Sequence, residues 1–284
     1  MRVLKLAGIA TSALLIGLAG WAVLSSTATE RDISAFQGRI VELGATALPP
    51  AYDEAEIGDL PEPVQRYFAF TFRGPVPAHS VVRLHAEGEF RRPLTETFRP
   101  MTAEQVIAIG EPALMFSGTT SVLPGVWARA YDFFAEGEME MKAKILSTLT
   151  VVDEKETSEL NRISLRRWLL ESALFPQALL PGGPVAWEAV DENSARVVVE
   201  ADGLRASMVA HFDADGRMTR MTAEQDGDLT TPYHGSGEHV TRDDYQRVAN
   251  QMIPMRFTVS RAAGGAIHPF FSGHVTDIAF ELVP

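Results

Sequence analysis

Arg167 and Glu171 raise the question of chemistry, because they stand four residues apart in SELNRISLRRWLLESALFPQALLP, Ser158 to Pro181. At helical spacing Leu160, Ile163, Arg167, Glu171, Leu174 and Phe175 share one face, so two opposite charges sit inside an apolar stripe. An Arg in that position can offer a bidentate donor to a carboxylate or a ligand headgroup. The same two residues also read as a structural ion pair, or as side chains whose charged tips reach solvent from the helix edge. The residue types favour the structural reading, since the Arg-first order is the weaker i,i+4 arrangement.

The histidines come next. His234 and His239 flank Glu238 in TPYHGSGEHV, and His268 and His274 lie in HPFFSGH, a set that two hairpins could bring to a metal. The fixed ligand spacing of a metal motif is missing, so scattered surface histidines are the plainer reading and no metal is expected. His85, Glu87 and Glu89 alternate along one strand and offer acid and base groups, but any half-buried strand shows such polar alternation. Ser158, Ser164 and Ser172 lie in no GxSxG turn, and Gly182 and Gly183 belong to a PGGP turn, not a phosphate loop. These motifs point to no catalytic residue and no cofactor.

The elements that would position these residues follow from composition and period. The 284 residues are 46% hydrophobic and carry a formal charge of −12, which supports a sizeable core and ordinary globular folding. The first 28 residues hold Arg2 and Lys5 and no acid, so without them the charge is −14. Clustered Lys and Arg are missing, which argues against a nucleic-acid partner. The absence of cysteine excludes disulfides, thiol nucleophiles, cysteine metal sites and a lipid-modified N-terminal cysteine.

Residues 1–28 follow an export pattern: Arg2 and Lys5, an apolar run from Leu6 to Leu24, then Ser26 and Ala28 at a possible cleavage site. The 19-residue run is long for a signal peptide and just long enough to span a bilayer, so signal peptide and membrane anchor both stand. The charge order places the N-terminus in the cytoplasm and the folded part outside it. Residues 29–59 read as a linker with a helix over Ile33 to Leu43, and residues 60–284 as one β-rich domain.

That domain opens with LPEPVQRYF, a short helical turn, and then changes to a period of two. About ten short strands joined by tight turns, with one strong helix at Ser158–Pro181, predict an α+β fold. It is a single large curved antiparallel sheet, an open half-barrel, covered by the central helix. Leu165, Leu169 and Ala173 lie opposite the Arg167 stripe, so the helix has two apolar sides and must pack on both.

LPEPVQRYF, GEF (Gly88 to Phe90), LPGV (Leu123 to Val126), VVD (Val151 to Asp153), RRWLLESALFPQALLP and VAWEAVDENSARV resemble, in that order, an uncharacterised bacterial family catalogued as a domain of unknown function. Phe116 stands where that family's pattern has an aromatic-flanked Trp. The resemblance implies no activity. By pattern the domain is also similar to the lipoprotein-carrier fold, which implies a concave face that holds acyl chains.

These readings converge on an exported or membrane-anchored binding protein whose ligand is a hydrophobic small molecule or lipid. The expected contacts are Arg167, Glu171, Trp168, Phe175, Trp187 and Trp127. An enzyme using Arg167, Glu171 and one histidine, or a cell-envelope scaffold, are the alternatives.

Overall fold

The computed structural model describes the backbone over residues 2–75, 77–92, 95–155, 157–230 and 237–282, with side chains described at residue 17 and from residue 20 onward. Helix α1 spans Arg2–Thr46 and contains the helix expected over Ile33 to Leu43. Two more helices follow, α2 (Glu54–Gly58) and α3 (Glu62–Thr71). Asp53 caps α2 by accepting from Ala55 N, and Pro63 occupies the first turn of α3, where its missing N–H leaves nothing unpaired.

Six strands come next: β1 (Val81–Phe90), β2 (Arg99–Ala108), β3 (Ala113–Leu123), β4 (Val126–Ala135), β5 (Glu138–Ile145) and β6 (Leu149–Lys155). Helix α4 (Ser158–Glu171) and two 3-10 turns, Ser172–Leu174 and Pro176–Leu179, separate them from seven more. These are β7 (Val185–Asp191), β8 (Ser194–Ala201), β9 (Leu204–Phe212), β10 (Met218–Thr222), β11 (Glu238–Val248), β12 (Gln251–Ala263) and β13 (Ala266–Glu281). Two expectations need correction. The helix stops at Glu171, ten residues before Pro181, because Pro176 has no N–H to donate and bars its predecessor from helical geometry. β6 joins the expected strands, and its mostly exposed side chains explain why alternation did not reveal it.

All thirteen strands form one antiparallel sheet in the order β6-β5-β4-β3-β2-β1-β13-β12-β11-β10-β9-β8-β7. The chain runs outward from β1 to β6, crosses as α4, and returns from β7 to β13, which closes on β1. At that seam Gly88 stands opposite Gly273, and an added Cβ on Gly88 would lie 2.1 Å from the Ser272 carbonyl oxygen.

Helix α4 touches β5, second in the sheet, and β8, twelfth. In a flat sheet those strands would stand about 48 Å apart at ~4.8 Å per spacing, far more than a helix ~10 Å across can bridge. The sheet therefore curls around α4, as the half-barrel reading expects. Inside the curl Val82, Leu84, Ile107, Leu114, Phe134, Met208 and Phe212 pack with Leu165, Trp168 and Leu169. On the outer face Ile33, Ile40 and Leu43 of α1 cover Val81, Val106, Met115 and Tyr131, and Phe36 stacks on Phe133 at 4.3 Å. Alternation along β2, β3 and β4 sends successive residues to these two cores, so where α1 covers it this wing is buried on both faces.

Candidate functional site

Helix α4 is suspended between the wings of the sheet by three sets of opposite charges. Arg166 and Arg167 are consecutive, hence about 100° apart around the helix, and each reaches a different wing. Arg167 pairs with Asp132 of β4 and lies over the Phe116 ring, 4.6 Å from its centroid. Asp132 is on the inner face because it shares the phase of Phe134, whereas Tyr131 and Phe133 face α1. On the other wing, Glu238, Val240 and Arg242 of β11 alternate inward. Arg166 Nε stands 3.0 Å from Glu238 Oε2 without the alignment of a hydrogen bond. Arg242 Nη2 donates to Glu171 Oε2 at 2.7 Å and to the Leu170 carbonyl at 3.3 Å.

The Glu171–Arg242 pair is the most enclosed, with side chains 9% and 1% exposed, while Arg167 keeps 24% of its surface in contact with water. Burial pushes the Glu238 carboxyl above its ordinary range, opposed by the charges of Arg166, Arg261 and Arg162 and by its own backbone N–H. Burial likewise lowers Arg261, against the pull of Glu238, Asp228 and Glu154. The inner face thus carries charges of both signs, placed opposite one another so that the helix is fastened rather than repelled.

The aromatic residues add directional polar bonds to this apolar contact. Trp168 is fully buried, donates from Nε1 to the Ala108 carbonyl at 3.1 Å, and lies 5.5 Å from the Phe175 ring. Trp187 of β7 donates to the Leu179 carbonyl at 3.0 Å and lies beside Phe212. Gln177 ties the second 3-10 turn to the segment before β1, donating to the Pro77 carbonyl at 2.9 Å with its Oε1 3.1 Å from His79 Nδ1.

Five of the six expected contacts, Arg167, Glu171, Trp168, Phe175 and Trp187, therefore meet around α4 and its 3-10 extension. Trp127 does not join them: it shares the phase of Tyr131 and Phe133, faces the α1 side, and donates to Ser147 Oγ at 3.2 Å. Arg167 and Glu171 do not bond one another either, since each takes its partner from a different strand. Sequence reasoning missed Asp132 and Arg242 as those partners, and the neighbouring Arg166–Glu238 pair as well. The signal was present in β4 and β11 as charges in phase with inward apolar residues, a placement that requires a buried counter-charge.

Two of the histidines read from the sequence lie away from the charged groups around α4. His239 and Glu238 are neighbours in β11 and point to opposite faces, and His85 lies 3.9 Å from Glu104 on the α1 side. His234 lies outside the described residues. Among the described residues no group of three or more His, Asp or Glu side chains is placed to hold a metal. A cleft of about 490 Å³ opens instead at the rim, lined by Pro50, Glu111, Glu136, Gly182 and Asp202. Burial raises the Glu111 carboxyl there, and Asp202 and Glu136 add to the shift.

Curated protein sequences give no match to this chain. Solved structures similar to it include the following two. A LolA superfamily protein from Nitrosomonas europaea is 6% identical, with 78% of this chain and 92% of that one covered and a TM-score of 0.41. A DUF1329 family protein from Desulfovibrio piger is 9% identical, with 73% and 88% covered and a TM-score of 0.39. The model of a family of unknown function, DUF6920, matches residues 58–280, so the resemblance read from LPEPVQRYF onward holds and the chain belongs to that family.

Proposed function

We propose that the protein is an extracytoplasmic, membrane-anchored or secreted binding protein. In this reading it takes an apolar ligand of the acyl-chain kind into the curl of the sheet and does no chemistry on it. The observation that carries this reading is the enclosure of α4: apolar residues on two of its sides, Leu165 and Leu169 among them, are buried against both wings. Its charged ties to the wings are the three sets described above, and Trp168 adds a hydrogen bond to the Ala108 carbonyl.

Physical chemistry constrains the ligand. Moving α4 and the 3-10 turns off the sheet would expose about ten large apolar side chains, at roughly 2 kcal/mol each. Such a movement is tolerable only when other apolar surface takes the vacated place. An acyl chain meets that condition and a polar metabolite does not. The charges suit a latch, because an ion pair can re-form at the end of each cycle while the apolar bed is shared between helix and ligand.

Organic extraction of detergent-free protein, followed by mass spectrometry, tests this. The reading expects an acyl lipid near one per chain, displaced by a fluorescent fatty acid with a change in Trp168 or Trp187 emission. Protein that carries no lipid and binds no fatty acid at saturating concentration would end the proposal. The enzyme alternative gains no support, since the charges of Arg167 and Glu171 are each matched by a strand residue and, among the described residues, no histidine bonds either of them.

A further inference from the structure

Helix α1 leaves the domain in a defined direction. Ser25 Oγ donates to the Thr148 carbonyl at 3.3 Å and Thr29 Oγ1 to that of Ser147 at 2.9 Å. Further along, Glu30 pairs with Arg129 at 3.0 Å and Arg39 with Glu136 at 2.8 Å. Contacts from Glu30 to Arg39 climb β4 in step, so α1 runs alongside it, with the β3–β4 and β5–β6 turns at the Ser25 end. From Ser25 to Arg39 the helix rises about 21 Å, which sets Glu136 that far from the exit.

In the other direction α1 continues without a break to Arg2, and residues 6–24 of the sequence carry no charge. Nineteen helical residues measure about 28 Å, close to the ~30 Å hydrocarbon layer of a bilayer. Among the described residues no helix is long and apolar enough to cross a membrane, and most of this run falls on residues whose side chains are outside that set.

The surface around the exit is apolar where a water-facing surface would be polar. Trp21 (54% exposed) and Leu24 (73%) sit on the helix, Leu123 (59%) and Trp127 (40%) at the β3–β4 turn, and Leu146 (38%) and Leu149 (59%) at the β5–β6 turn. Single exposed apolar residues are ordinary, but a group gathered where an apolar helix emerges needs an apolar neighbour. The turns are also held in place: Leu146 N donates to the Trp127 carbonyl at 2.8 Å, and Leu146 and Ser147 both adopt positive φ.

We infer that this end of the sheet rests in the headgroup boundary of the bilayer that holds residues 6–24. The domain then lies against the membrane instead of hanging from it by a tether. Trp21 on the helix and Trp127 on β4 are both exposed near the exit, which matches the interfacial preference of that side chain. The inference rests on the anchored form of the function proposed above, and its test separates the two.

Because the chain has no cysteine, Leu123→Cys, Leu149→Cys and Glu136→Cys each give one labelling site for bimane. The labelled full-length proteins are reconstituted in phosphatidylethanolamine–phosphatidylglycerol vesicles that carry a nitroxide near the top of the acyl chain. Quenching at 123 and 149 is expected to exceed that at 136 by at least threefold. Protein that floats with the vesicles but quenches equally at all three sites overturns the inference and leaves the anchor standing. Protein that fails to float overturns both.

Discussion

Glu171→Gln is the sharpest perturbation of the α4 latch, because it removes a charge and keeps the shape. The carboxylate accepts from Arg242 at 2.7 Å with both side chains nearly closed to water. The substitution leaves a buried guanidinium facing a neutral amide. Removing one partner of such a pair costs about 3–5 kcal/mol, since the remaining charge keeps its desolvation penalty. Arg242 retains the Leu170 carbonyl at 3.3 Å, so about 3 kcal/mol is the better figure. In a domain of this size that lowers Tm by roughly 6–12 °C. Adding Arg242→Met removes the stranded cation and should restore most of the loss, so the double variant is more stable than Glu171→Gln alone. Urea and thermal unfolding of the four proteins of the cycle give the coupling directly. A loss below about 1 kcal/mol in the single variant, or a double variant no better than it, would mean that the pair does not fasten the helix, and the latch argument would fail.

Three further outcomes follow from the packing. Burial works against the Glu140 charge, but hydrogen bonds from Lys142, Lys155 and Tyr131 outweigh it and bring its pKa from 4.5 to about 2. That stabilisation is complete above the unfolded value and disappears as pH falls through the folded one. The stability gap between wild type and Glu140→Gln should be about 1 kcal/mol at pH 7, after allowance for solvent screening, and should close between pH 4.5 and 2. Gly88→Ala should cost about 2–3 kcal/mol, because its Cβ would meet the backbone of Ser272 and Gly273 and force the β1–β13 seam apart. Trp168→Ala should cost about 3–5 kcal/mol through the cavity it leaves, with Trp168→Phe losing less but still giving up the hydrogen bond to the Ala108 carbonyl; urea midpoints measure both.

Much of the architecture was legible because strands with one buried face carry a period of two. The polar alternation of His85, Glu87 and Glu89 falls in β1, and the N-capped start of α4 fell at Ser158 as expected. β6 was not legible, since an edge strand with few buried side chains leaves no alternation to read. The end of α4 was misplaced because apolar residues continue through Pro176 in tightly wound 3-10 turns that keep the same contacts with the core.

The candidate site divides along the same line. Local spacing placed Arg167, Trp168 and Glu171 on one helix, because residues within two turns share faces whatever the rest of the chain does. Their partners come from strands 35 and 71 residues away, Asp132 and Arg242, and no local pattern encodes which strand a curled sheet will bring opposite a given turn of helix. Trp127 and Trp168 look alike as aromatic residues in apolar segments, yet they lie on opposite faces because strand phase and sheet curvature are set by the long-range pairing of β1 with β13. Read alone, the chain establishes its elements, its acidic surface and an uncharged run at residues 6–24, all of which depend on neighbours in sequence. The pairing of every buried charge, and the side of the sheet on which each aromatic residue falls, depend on closure of the fold, where desolvation makes an unmatched charge too costly to keep.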